Sequence, residues 1–246
     1  MDHVLAEQGL RLTYLCDPID IDELDPDRIL DDLSDDTPDG DPFPWLTRCH
    51  LTEYDHLVLV TDRSSGRYLA ILAANDGTTA REDFLLLETA YVASIARGQN
   101  LMRRMIALAM LRIGGLRAVP SVIAACTRNP ICYRIIQSAA CRFAGATFFP
   151  QPDSVVINFQ TATLAQRIAR EIGPNLRIQA TTGIMRGAMT MVAGTSHYGA
   201  LARHPQFGGV FAQWLHPADR MLAVLDLRGQ NEAGILDDAR RIYRSR

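Results

Sequence analysis

The stretch DFLLLETAYVASIARGQNLMRRMIALAMLRI (Asp83–Ile113) decides the fold. Asp83–Ser94 is an apolar, β-prone run with strand character, and ARGQN (Ala96–Asn100) is a turn. LMRRMIALAMLRI (Leu101–Ile113) places Leu101, Met105, Leu108 and Leu111 or Arg112 at helical spacing. Gly114 is a C-cap for that helix, and Pro120 prevents its continuation. Moving outward, SVIAACT (Ser121–Thr127) reads as a second strand. RNPICYRIIQSAACRF (Arg128–Phe143) then reads as an Asn-Pro turn and a helix, with Pro130 at the first helical position. A turn whose backbone N–H groups open directly into a helix N-terminus is a ready anion site, which points to a phosphate-bearing cofactor. Arg103 and Arg104 lie in the first turn of the helix, where cations oppose the dipole. A nearby anion relieves that conflict; so does solvent.

This segment resembles the GNAT acyltransferase superfamily, whose members use acyl-CoA. The family's pyrophosphate loop runs Arg/Gln-x-x-Gly-x-Gly/Ala, between its fourth strand and third helix. Arg97, Gly98, Gln99, Asn100, Leu101 and Met102 stand in the six matching positions. Arg97 matches. Asn100 replaces a glycine; it is the non-glycine residue that best tolerates a left-handed backbone, and a good N-cap. Met102 replaces a small residue, and its side chain either crowds the diphosphate or points into the core. Downstream, Thr127, Asn129-Pro130 and Tyr133 match the Asn near the strand end and the Tyr that the family carries beside the CoA sulfur.

The order of the remaining elements extends the resemblance. RLTYLCD (Arg11–Asp17) reads as a strand and DIDELDPDRILDDL (Asp20–Leu33) as a helix. HLVLVTD (His56–Asp62) and RYLAILAA (Arg67–Ala74), joined by Ser64–Gly66, read as a hairpin. This is the GNAT order over Arg11–Phe159, closing on SVVINF (Ser154–Phe159) as a last core strand. The fold class implied is α/β (α+β): a GNAT-like central mixed, mostly antiparallel sheet flanked by helices, with a C-terminal extension. The implied division is a GNAT-like acyl-CoA-binding domain over 1–159 and an extension over 160–246, packed on the core. Thr163–Gly173 and Glu232–Arg244 read as helices within the extension, and Gly183–Gly194 is ambiguous. Capping the acceptor groove, forming a homodimer contact and completing the sheet are all open to it.

Composition excludes several classes. Apolar residues make up 48% and charged residues 22%, as in a soluble globular chain. No run approaches the ~20 apolar residues that span a bilayer, and MDHVLAEQGL is no secretory signal, so a cytoplasmic protein without a membrane partner is expected. Five cysteines without CxxC or zinc spacing imply reduced thiols and no metal, with Cys126 and Cys141 expected as buried small hydrophobes. All 25 basic residues are arginine, so no lysine serves as base or phosphate clamp. Asp17–Asp41 holds twelve acidic residues and one basic, Arg28; the remaining 24 basic and 16 acidic residues leave about +8 elsewhere. This is either a solvated acidic helix and loop or, in the GNAT arrangement, a carboxylate lip that gathers a cationic amine. The arginine-rich remainder suits an anionic cofactor. A net charge of −3 and the lack of a basic, aromatic-interleaved stripe argue against nucleic acid. In Pro- and Asp-rich Asp35–Leu46, Phe43 and Trp45 anchor the loop or fold over a groove. Scattered His197, His204 and His216 form no ligand set.

The resemblance implies an acyl-CoA-dependent N-acyltransferase, with acetyl-CoA or another acyl-CoA as donor and a small amine as acceptor. It places the cofactor on the strand end Tyr91, Val92 and Ala93, on Arg97–Met102, and on Asn129 and Tyr133. Glu88, acidic within an apolar strand, is the candidate general base if burial raises its pKa. Tyr133 is the candidate acid for the leaving thiolate, or else packs the helix. Asn129 holds the groove or caps the following helix. The alternatives are a repurposed GNAT-fold binding or assembly protein, and a hydrolase or decarboxylase on the same scaffold.

Overall fold

Two compact units emerge from the chain, and a computed structural model describes residues 3–5, 9–34, 51–127, 130–151, 158–188 and 219–245 of it. Met1–Asn75, Leu87–Val119 and Leu236–Arg246 form the first unit; Asp76–Leu86 and Pro120–Ile235 form the second. The architecture is the expected one, a mixed, mostly antiparallel sheet flanked by helices.

In the first unit, β1 (His3–Leu5), β2 (Leu10–Leu15), β3 (His56–Asp62), β4 (Tyr68–Thr78) and β5 (Asp83–Val92) are neighbours in chain order. The β1–β2 hairpin was not foreseen; β1 is three residues long, too short for alternation to register. The β3–β4 hairpin is as expected. Its turn is fixed by Asp62, whose Oδ1 accepts from the N–H groups of Ser64 (2.9 Å) and Ser65 (2.8 Å), and whose pKa these bonds and the serine hydroxyls lower to about 2. The single acidic helix of the sequence reading is two, α1 (Pro18–Asp22) and α2 (Pro26–Ser34). Pro26 disfavours helical backbone at Asp25, and Asp25 Oδ1 accepts from Arg28 N–H (3.1 Å) as a cap. Ile21, Ile29 and Leu33 from these helices pack on Leu57, Leu59 and Ile71 of the sheet. Helix α3 (Leu101–Ile113) has the expected bounds, but it is buried on nearly every side rather than along one stripe.

In the second unit the order is β5, β6 (Val122–Thr127), β9 (Arg220–Asp226) and β7 (Thr147–Phe149), with β8 (Ile184–Met185) added to β9. Helix α4 (Pro130–Ala140) follows β6, and α5 (Phe159–Ile172) packs Leu164, Ala165 and Ile168 on Val122, Leu222 and Val224. Helix α6 (Glu232–Arg244) has the expected bounds, and its residues from Leu236 onward belong to the first unit. The central strand β9 pairs antiparallel with β6 (Ala124↔Val224) and with β7 (Phe149↔Val224). A strand from the C-terminal part therefore completes the sheet. SVVINF does not supply a strand through Phe159: Asn158 caps α5, its Oδ1 accepting from Gln160 and Thr161 N–H (3.1 and 3.2 Å), and Phe159 is helical. Residues 152–157 lie outside the described residues, as do Phe43, Trp45, Cys49, Asn129, His197, His204 and His216. Cys141 is exposed and Cys126 half-buried, so neither is the fully buried hydrophobe expected.

Candidate active site

Strand β5 changes character midway. Phe84–Leu87 are buried, whereas every residue from Glu88 to Val92 is exposed or half-buried. Glu88 is exposed. Its β5 position faces outward because the strand's apolar cover ends at Leu87. Tyr91 and Val92 are half-buried, but Ala93 is fully buried and donates its N–H to Leu69 O (2.8 Å). No amide donor remains on Ala93 for a ligand.

A short 3₁₀ turn, Ser94–Ala96, carries the chain out of β5. Arg97 is extended and exposed, its Nε donating to Val92 O (3.2 Å). Gly98 has φ +84° and Asn100 has φ +59°, ψ +19°, so both turn residues are left-handed. For Asn100 this is the conformation that asparagine tolerates best among residues with a Cβ. Its side chain does not cap the helix; Oδ1 accepts instead from the Arg103 guanidinium. The first satisfied amide of α3 is that of Arg104, donating to Asn100 O (3.2 Å). The amides of Leu101, Met102 and Arg103 precede it, where a helix leaves its donors without internal acceptors. A Cβ built on Gly98 meets nothing within 4 Å, so the space beside that residue is open. Met102 is 8% exposed, a buried side chain.

The two arginines of the first turn have different fates. Arg104 is buried and donates through Nε (3.0 Å) and Nη2 (2.6 Å) to Ser245 O, just beyond α6. Burial pushes its pKa down, with Tyr243 opposing. Carbonyls at a helix C-terminus carry the negative end of the dipole, so this arginine is balanced without an anion at its own helix start. Arg97 and Arg103 are the cations left at the turn.

Tyr133, in the second unit, is 4% exposed. Its hydroxyl donates to Pro150 O (2.7 Å), and its ring lies tilted on Phe148 at 5.3 Å. The hydroxyl is thus engaged inside the unit, because the first turn of α4 aims residue 133 at β7. Nearby, desolvation pushes the Cys132 thiol up to about 11, with a bond from Thr127 opposing.

The strand with an open second half, the two left-handed turn residues and the helix start stand in the order the resemblance implies. No protein-family model and no curated protein matches the sequence. Among solved structures the chain is similar to a ribosomal-protein-S5-alanine acetyltransferase from Vibrio fischeri, at 11% identity and TM-score 0.41, over 61% of this chain and 85% of that one. It is similar to a GNAT family N-acetyltransferase from Escherichia coli in complex with CoA, at 17% and 0.39, over 54% and 71%. A third is the diaminobutyrate acetyltransferase of Paenibacillus lautus in complex with its substrate and coenzyme A, at 12% and 0.41, over 91% and 99%. Likeness at this level bears on neither substrate nor residue roles. Among the described residues no helix is long and apolar enough to cross a membrane, and no group of three or more metal-binding side chains gathers.

Proposed function

We propose that the protein is an acyl-CoA-dependent N-acyltransferase, using acetyl-CoA and acting on a small amine. The observation that carries this reading is the turn at Gly98–Asn100. Two positive-φ residues there lead into the amides of Leu101–Arg103, with open space beside Gly98, immediately after a strand whose second half is uncovered. These residues fit a diphosphate: the amides supply donors, Arg97 and Arg103 supply charge, and the buried Met102 supports a turn free of its bulk. Bound acyl-CoA supplies the activated acyl group. Tyr91 and Val92 border it, and Glu88, exposed on the same half-strand, attracts the ammonium of the acceptor and takes its proton directly or through water.

Calorimetric titration with acetyl-CoA, free CoA and desulfo-CoA tests the reading. Micromolar binding by wild type, lost in Gly98→Arg and retained in Glu88→Gln with lowered turnover on a responsive amine, is the expected result. Absence of binding by all three ligands removes the assignment. One observation favours a second reading, a GNAT-fold binding protein without catalysis: the Tyr133 hydroxyl is tied to Pro150 O, which leaves the thiolate without that acid. Cofactor binding without turnover on any amine marks that outcome.

A further inference from the structure

The second unit holds a cleft whose walls include none of the residues assigned above to acyl-CoA. It has a volume of about 670 Å³, and Thr147, Asn158, Phe159, Thr161, Arg167 and Arg228 are among its walls. A smaller cleft of about 390 Å³ shares Thr163 and Arg167 with it and adds Arg81 and Arg170. Asp226, also on the wall, pairs with Val122 at the start of β6. Thr127, which feeds α4, is five residues along that strand, or roughly 17 Å away.

The arginines are held, not merely adjacent. Glu82 accepts from Arg167 Nη1 with both oxygens (3.1 and 2.8 Å) and from Arg228 Nη1 (2.8 Å). Asp226 accepts from Arg228 Nε (2.9 Å) and Nη2 (2.7 Å) as a fork. Glu82 is itself set by a tight turn, Thr79 N–H donating to Glu82 O (2.8 Å) and Glu82 N–H to Thr79 Oγ1 (3.0 Å). Its side chain is 14% exposed, while Arg167 and Arg228 keep 27% and 29% of theirs open. The carboxylates thus engage all three nitrogens of Arg228 but hold Arg167 through Nη1 alone. Arg167 Nε and Nη2 have no acceptor among the described residues, and neither Arg81 nor Arg170 has a carboxylate partner there. Four arginines and two carboxylates leave a charge of +2 on a wall of hydroxyls and amides. A phosphomonoester carries about −1.5 to −2 at pH 7 and offers oxygens suited to arginine forks. Phe159, 78% exposed at the rim, offers a ring to the organic group of such an ester.

We propose that this double cleft binds a phosphomonoester, centred on Arg167, whether or not the protein is an acyltransferase. The test is calorimetry on the full chain with phenyl phosphate and with benzoate, each with and without saturating CoA. Two variants accompany it: Arg170→Gln, which disturbs no partnered group, and Arg167→Gln. Phenyl phosphate is expected to bind at least tenfold more tightly than benzoate and to be undisturbed by CoA. Each variant is expected to weaken it about tenfold, as loss of a charge-assisted bond does, with Tm unchanged in Arg170→Gln. No heat with phenyl phosphate, equal binding of benzoate, displacement by CoA, or wild-type affinity in both variants overturns the proposal.

Discussion

At the scale of single residues, the same side chain serves chemistry or packing according to where its polar atom finds a partner. Tyr133 stands where a family resemblance places an acid, yet its hydroxyl donates to Pro150 O from a position 4% exposed to solvent. Removing the hydroxyl leaves a buried carbonyl without its donor, a loss of about 1–3 kcal/mol. Tyr133→Phe is therefore expected to lower Tm while acetyl-CoA affinity and turnover per folded molecule stay at the wild-type level. Thermal melts beside calorimetry and steady-state assays separate the two roles: unchanged Tm with turnover reduced a hundredfold restores Tyr133 as the acid. Asn100 shows the converse. Its type is dictated by a left-handed backbone that few other residues accept, and its side chain engages Arg103 rather than the helix it precedes.

At the scale of elements, α3 and α6 were legible to the residue because their apolar spacing is sustained and a glycine or charged turn bounds them. Strand β7 was not: three residues show no period. The role of β9 escaped for a different reason. MLAVLDL is plain as an apolar run, but nothing local says that it lies between β6 and β7, since such pairing is set by long-range packing rather than by neighbours in sequence. The same holds for the Glu82–Arg228 pair, separated by 146 positions. Because β9 is central, its side chains Leu222 and Val224 are fully buried against α5, Phe149 and β6. Leu222→Ala is expected to cost about 2–5 kcal/mol, read as a lower denaturant midpoint. A fragment ending at residue 159 is expected to aggregate, because it leaves the ladder edges of β6 and β7 unpaired and their apolar faces bare. A soluble, cooperatively melting 1–159 fragment shows instead that β9 is dispensable.

At the scale of the whole molecule, charge is the property that sequence alone reports most directly, and it bears on rate and affinity rather than on fold. Acidic residues concentrate in Asp17–Asp41, and the remaining chain carries about +8, all of its cations arginine. A polyanionic cofactor gains from that excess even before the turn amides engage it, and salt screens such attraction over roughly 10 Å at 0.1 M. Acetyl-CoA affinity is therefore expected to fall on the order of tenfold between 50 and 500 mM NaCl, mainly through a slower association rate. Acetylated pantetheine, which lacks the diphosphate and the 3′-phosphate, is expected to bind weakly with no salt dependence. The two ligands together locate the effect: a salt-independent acetyl-CoA affinity means that the arginines contribute nothing and the amides of Leu101–Arg103 carry the diphosphate alone. A salt-sensitive pantetheine means that the protein, not the cofactor's charge, responds to ionic strength, and the electrostatic argument fails at its root.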